Sequence, residues 1–99
     1  MTFEQLSIFV AVAERQHLTK AAEALRLTPS AVSAAIKTLE GFYNVALFHR
    51  VGRGIELTEA GRVFLDEARA VLARAQSAAL VLSELGDMRR GRLTIQSSQ

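Results

Sequence analysis

The chain has 99 residues, a formal net charge of +2 and no cysteine. That length is one small domain or a piece of something larger, and a chain this short buries only about 60–70% of the surface its unfolded form exposes. With 49% apolar and 22% charged residues, the composition is globular and excludes wholesale disorder. The missing cysteines exclude a disulfide framework, a thiolate metal site and a thiol nucleophile, and they suit a reducing cytoplasm. The start carries Glu4 and no basic residue, unlike a signal peptide. The longest apolar runs, Ile8 to Ala13 and Ala78 to Leu82, are too short to span a membrane.

The charge is unevenly placed. Residues 1–14 carry −2, residues 15–53 carry +4 together with both histidines, residues 54–88 carry −3 and residues 89–99 carry +3. A basic middle between acidic flanks points to one surface made for an anionic partner. Ten of the twelve cations are arginine, the side chain suited to phosphate and base-edge recognition.

Thr2 followed by Gln5 is a capping box, so a first helix starts near Phe3. Its residues Phe3, Leu6, Phe9, Val10 and Ala13 follow the helical period and predict one buried stripe. Glu14-Arg15 and Gln16-His17 end it. Thr19 is a fitting N-cap for a short second helix, Lys20 to about Arg26. Its alanines at 21, 22 and 24 allow another helix to approach closely.

Thr28 caps a third helix with Pro29 at its first position, where the missing N–H costs nothing. Val32, Ala35, Ile36, Leu39, Phe42 and Tyr43 recur at spacings of three and four and predict its core face. The opposite stripe, Ser30, Ser33, Ala34, Lys37 and Gly41, is nearly bare of long side chains and suits being pressed into something. Asn44 stops the helix in the left-handed conformation. Two short runs about Gly52-Arg53-Gly54 then read as a hairpin, or wing, with Arg53 at its tip.

Thr58 caps a last helix of about residues 59–87. Phe64, Ala68, Val71, Ala75, Ala78, Leu82 and Leu85 form a heptad seam on it. A helix packed only on the first helix accounts for Phe64 to Leu72 but not for Ala75 to Leu85, so the seam predicts a homodimer. In residues 89–99, Arg and Gly make a hinge. Leu93-Thr94-Ile95-Gln96 then begins to alternate like a strand, the start of a truncated further domain.

Chemistry is not written in this pattern. His17 and His49 stand far apart without metal-ligand spacing, Gly52-x-Gly54 lacks the third glycine of a dinucleotide fingerprint, and neither a nucleophile elbow nor paired carboxylates on one face occur. No catalytic residue, metal ligand or cofactor is expected.

Residues 18–37 fit a helix-turn-helix. Ala21, Leu25, Leu27, Val32 and Ala35 are the buried positions and Ala22 stands at the crossing. That geometry lays the third helix, residues 29–43, in a major groove. Thr19, Thr28 and amides near Ser30 and Ala31 then meet phosphates, Lys37 and Arg50 reach phosphates or base edges, and Arg53 enters an adjacent minor groove. The fold expected is mainly α: a winged helix-turn-helix over residues 1–58, made of three helices plus a two-stranded wing. A linker and dimerisation helix follows over 59–88.

With these residues in view, the chain resembles the LysR-type transcriptional regulators. The resemblance is carried by Phe3 to Glu14, Leu18 to Leu25, Ser30 to Ser33 with Ile36 and Leu39-Glu40, Leu47 to Arg50, and Leu57 to Gly61, in order and in register. It implies an antiparallel homodimer through the linker helix and an effector domain of periplasmic-binding-protein type beyond residue 89 that alone binds a small-molecule coinducer. It further implies double-stranded promoter DNA as partner, partly palindromic sites, and usually a tetramer at full length. Family members often carry Gln where Pro29 stands and a long polar residue at Ala34, and both positions commonly touch bases. Direct readout here is therefore expected to be thin, resting on Ser30, Ser33, Lys37 and a contact of Ala34 with a thymine methyl. A helical dimerisation or adaptor module that binds protein is the alternative, and it needs neither the wing nor the bare helix face.

Overall fold

The computed structural model describes residues 1–89. The chain runs α1 (Phe3–Arg15), α2 (Leu18–Leu25), α3 (Pro29–Tyr43), β1 (Phe48–Val51), β2 (Gly54–Leu57) and α4 (Glu59–Arg89). The hinge and strand expected at residues 90–99 lie outside the described residues.

Local chemistry fixes most boundaries. The capping box at Thr2 forms, with Thr2 Oγ1 accepting from the Gln5 amide and Gln5 Oε1 accepting from the Thr2 amide. Thr28 Oγ1 accepts from the Ala31 amide, and Pro29 opens α3. Gln16, Arg26 and Asn44 each end a helix at positive φ, of 54°, 60° and 55°, the left-handed conformation that closes a last turn. The second helix departs from expectation. It starts at Leu18, and its N-cap is His17, whose Nδ1 accepts the Lys20 amide at 3.2 Å. Thr19 lies inside the first turn, because Leu18 packs against the core and draws the helix start back.

The core is a small cluster led by Phe9, Val12, Ala21, Ala22, Val32, Leu39, Leu47, Ile55 and Ala68. The Phe9 ring lies 5.3 Å from that of Phe48 and 4.9 Å from that of Phe64, so α1 holds both the hairpin and the root of α4. Three aromatic residues expected inside are not there: Phe3 is 60%, Phe42 76% and Tyr43 49% exposed. The helical period continues through them, but the neighbouring elements cover α3 only as far as Leu39 and α1 only from Leu6 onward.

The hairpin is antiparallel, with Phe48 opposite Leu57, Arg50 opposite Ile55 and Val51 opposite Gly54. Gly52-Arg53 makes a two-residue turn, and its first position has φ +58°, which glycine adopts at no steric cost. The helix α4 has 31 residues, a rod of about 46 Å at 1.5 Å per residue. The molecule measures 55 × 25 × 23 Å. Among the described residues no helix is long and apolar enough to cross a membrane.

Candidate nucleic-acid interface

The N-terminal ends of α2 and α3 meet the hairpin at a cleft of about 270 Å³, lined by His17, Leu18, Thr19, Pro29, Arg50, Arg53, Gly54 and Ile55. A shallower hollow of about 110 Å³ adjoins it, lined by Leu18, Ser33, Ile36, Lys37, Glu40, Phe48, Arg50 and Ile55. Arg50 borders both. The hairpin register explains why. Directly opposed residues share a sheet face, so Arg50 lies on the face of Ile55, Phe48 and Leu57, which turns toward the helices. His49 and Glu56 occupy the outer face.

Thr19, Pro29, Arg50 and Arg53 thus gather at the first hollow, and Ser33, Lys37 and Arg50 at the second. Thr28, Ser30 and Ala34 are exposed on α3 and its cap. The close fit of the wing is set at Gly54, where a Cβ would stand 3.2 Å from the Gln16 carbonyl oxygen. The expectation for the amides at the start of α3 needs refinement: the Ala31 N–H is already bound by Thr28 Oγ1 at 3.1 Å. The Thr28 hydroxyl proton stays available for an anion.

The charges on this surface are unpaired. The salt bridge among the described residues joins Arg69 to Glu14 at 3.1 Å, between α4 and α1. No carboxylate lies within bridging distance of Lys37, Arg50 or Arg53, so an approaching phosphate meets cations that need not first be released from partners.

His17 was missed as a member of this surface. Its Nδ1 accepts from the Lys20 amide, so the neutral ring carries its proton on Nε2 and offers a donor at the rim of the cleft. Histidine is not among the preferred N-caps, and the signal that could have found it was the apolar Leu18 that follows, half-buried against the core.

The seam expected on α4 divides in two. Ala68 is fully buried and Phe64 half-buried against α1 of the same chain. Val71, Leu82 and Leu85 are 41%, 70% and 50% exposed. Ala75 is half-buried and Ala78 exposed.

Two crossed helices, the second with a bare cationic face, and a two-stranded hairpin beside them define a winged helix-turn-helix. The model of bacterial regulatory helix-turn-helix proteins of the lysR family matches residues 3–62. The chain belongs to that family, and it is a DNA-binding domain of the LysR type.

Among relatives, it is 41% identical over 98 residues to a probable RuBisCO transcriptional regulator of Thalassiosira pseudonana, covering 99% of this chain and 32% of that protein. It is 39% identical over 94 residues to the HTH-type transcriptional regulator ClcR of Pseudomonas putida, covering 90% of this chain and 32% of that protein. The chain thus spans about a third of the length of these relatives. Among solved structures, the DNA complex of the CbnR DNA-binding domain matches with a TM-score of 0.81 and 36% identity, over 87% of this chain and 99% of that one. The complex of the BenM DNA-binding domain with catB site 1 DNA matches with a TM-score of 0.84 and 29% identity, over 87% and 96%.

Proposed function

We propose that residues 1–58 grip promoter DNA by laying α3 in the major groove while Arg53 of the wing enters the adjacent minor groove. Residues 59–88 join two such domains as a homodimer. The observation that carries the reading is the pair of hollows in which unpaired Lys37, Arg50 and Arg53 surround the bare face of α3. Ser30 and Ser33 offer single hydrogen bonds and Ala34 a methyl contact. Pro29 and Ala34 lack the bidentate groups worth about 1–3 kcal/mol of discrimination each, so wing and backbone contacts carry the larger share. Thr19 and Thr28 are phosphate contacts from helix N-termini.

The free part of α4, Val71, Ala75, Ala78, Leu82 and Leu85, is the dimer surface, while Phe64 and Ala68 support it from within. The whole protein acts in the cytoplasm by contact rather than by catalysis. It assembles as a tetramer and answers to a coinducer bound outside residues 1–89.

Fluorescence anisotropy against a promoter fragment at several salt concentrations tests this reading. Affinity falls with salt with a log–log slope of roughly −0.9 per neutralised phosphate. A flat response, or equal affinity for random duplex, overturns it.

A further inference from the structure

The cleft between the start of α2 and the hairpin holds one donor that neither the fold nor the contacts proposed above use, the Nε2–H of His17. Nδ1 of this ring accepts the Lys20 amide at 3.2 Å and caps α2. A nitrogen that accepts carries no proton, so the neutral ring is the Nε2–H tautomer. Nε2 lies across the ring from Nδ1, and the hydrogen bond that His17 makes among the described residues leaves it free. The residue is exposed and lines the cleft together with Thr19, Arg50 and Arg53. Among the described residues no carboxylate joins them there.

The ring is also held in place relative to the wing. Gln16 closes α1 at φ 54°, and its carbonyl oxygen lies so near the hairpin that a Cβ at Gly54 would stand 3.2 Å from it. His17 follows directly in extended conformation, at φ −158°. The turn that carries His17 and the hairpin that carries Arg50 and Arg53 therefore pack against each other, and the cap fixes the ring itself. A side chain held in this way loses little further freedom when it takes a partner.

We infer that His17 is a further phosphate contact of this domain: Nε2–H donates to a backbone phosphate oxygen beside the wing arginines, while Nδ1 of the same ring holds the start of α2. The inference rests on the DNA-binding reading above. The acceptor is a phosphate because the first helix of a helix-turn-helix crosses the nucleic-acid backbone while the second faces the bases. The contact differs in kind from those of lysine and arginine. A neutral donor adds a directed hydrogen bond without neutralising a phosphate and releasing its counterion. Cap and contact also depend on one tautomer, and a proton on Nδ1 in place of Nε2 would abolish both.

The test uses the 99-residue chain at mildly alkaline pH, above the ordinary histidine range. Two duplexes serve as probes, one of random sequence and one enriched from a random library by the parent chain. Serine is a preferred N-cap but is too short to reach the place of Nε2. His17→Ser therefore keeps the helical circular dichroism and the melting temperature, and it loses about tenfold in affinity on both duplexes. Its log–log salt slope is unchanged, whereas Arg50→Gln makes the slope shallower by about 0.9. A ring that served only as a cap would leave His17→Ser binding like the parent, and that result overturns the contact. A second readout does not depend on the serine variant. In His49→Gln, which leaves His17 as the remaining histidine, the ring nitrogen shifts report the Nε2–H tautomer, and added duplex slows exchange of the Nε2 proton. An Nδ1–H ring, or a proton unaffected by duplex, overturns the inference. So does a loss confined to the enriched duplex, which marks a base contact. Failure of the parent to bind either duplex overturns the DNA-binding reading and the inference together.

Discussion

Replacing Gly61 by alanine is the sharpest perturbation the fold offers, because ordinary helix propensity and local packing demand opposite signs. In a helix interior, Gly→Ala stabilises by about 0.5–1 kcal/mol. At Gly61, a Cβ would overlap the Leu47 carbonyl oxygen and stand 2.8 Å from Leu57 Cδ2. The carbonyl cannot yield freely, since it accepts the Thr58 amide at 3.0 Å. Thr58 Oγ1 donates to the Ala46 carbonyl at 2.6 Å and accepts the Gly61 amide at 3.0 Å. Pushing α4 off its seat therefore strains the core by about 1–3 kcal/mol and loosens one or two hydrogen bonds worth about 0.5–1.5 kcal/mol each.

After the propensity gain is deducted, the net loss is about 2–4 kcal/mol, a fall in melting temperature of roughly 10–25 °C for a domain of this size. Gly41 is the control, since nothing lies within 4 Å of a Cβ built there, and Gly41→Ala gains about 0.5–1 kcal/mol. Thermal and urea unfolding followed by circular dichroism, at one fixed protein concentration because the midpoint of an associating protein depends on it, measures both. A Gly61→Ala protein within about 0.5 kcal/mol of the parent, or a Gly41→Ala protein damaged as badly, refutes the close-packed root.

Two further outcomes are expected. Glu40 Oε2 accepts the Leu47 and Phe48 amides at 2.7 and 3.2 Å, so Glu40→Ala leaves two half-buried donors without their carboxylate and costs about 2–3 kcal/mol. Glu40→Gln, which keeps an acceptor, costs less, and equal urea midpoints for the two variants would sink the clamp. Arg53→Ala weakens DNA binding more on A·T-rich than on G·C-rich flanks, since narrow A·T minor grooves concentrate negative potential. An equal loss on both, read by anisotropy, moves Arg53 from the minor groove to a phosphate.

Most of the fold was legible because its boundaries are written in local chemistry. Thr2-Gln5, Thr28-Pro29, Asn44, Gly52 and Thr58 each mark an end through a hydrogen bond or a dihedral preference that needs no distant partner. The start of α2 was not legible, since Thr19 and His17 are both able to cap and the choice falls to Leu18, whose packing against the core is a tertiary fact. Phe3, Phe42 and Tyr43 misled for the same reason: a period tells which residues share a face, not whether anything covers it. At the interface, the residue types were visible in the chain. The position of Arg50 between two hollows follows from the pairing of Arg50 with Ile55, one register among several that the glycine-rich tip permits.

The root of α4 does more than begin a long helix. Its first turn is tied by Thr58 to the Ala46 carbonyl, its second turn stacks Phe64 on Phe9, and Phe9 in turn holds Phe48 at the base of the wing. Glu14–Arg69 adds a half-exposed bridge further along, worth at most about 1 kcal/mol. The wing, α1 and the root of α4 therefore share one packed cluster without a glycine-rich joint between them, and close-packed interiors transmit displacement rather than absorb it. If α4 changes direction, the wing and α3 must turn with it. Were two copies joined through α4, as proposed, the separation of their α3 helices would be set by how the two rods cross. On that proposal, with few bidentate groups on α3 to read bases, the crossing is the main geometric filter on which pairs of half-sites could be gripped.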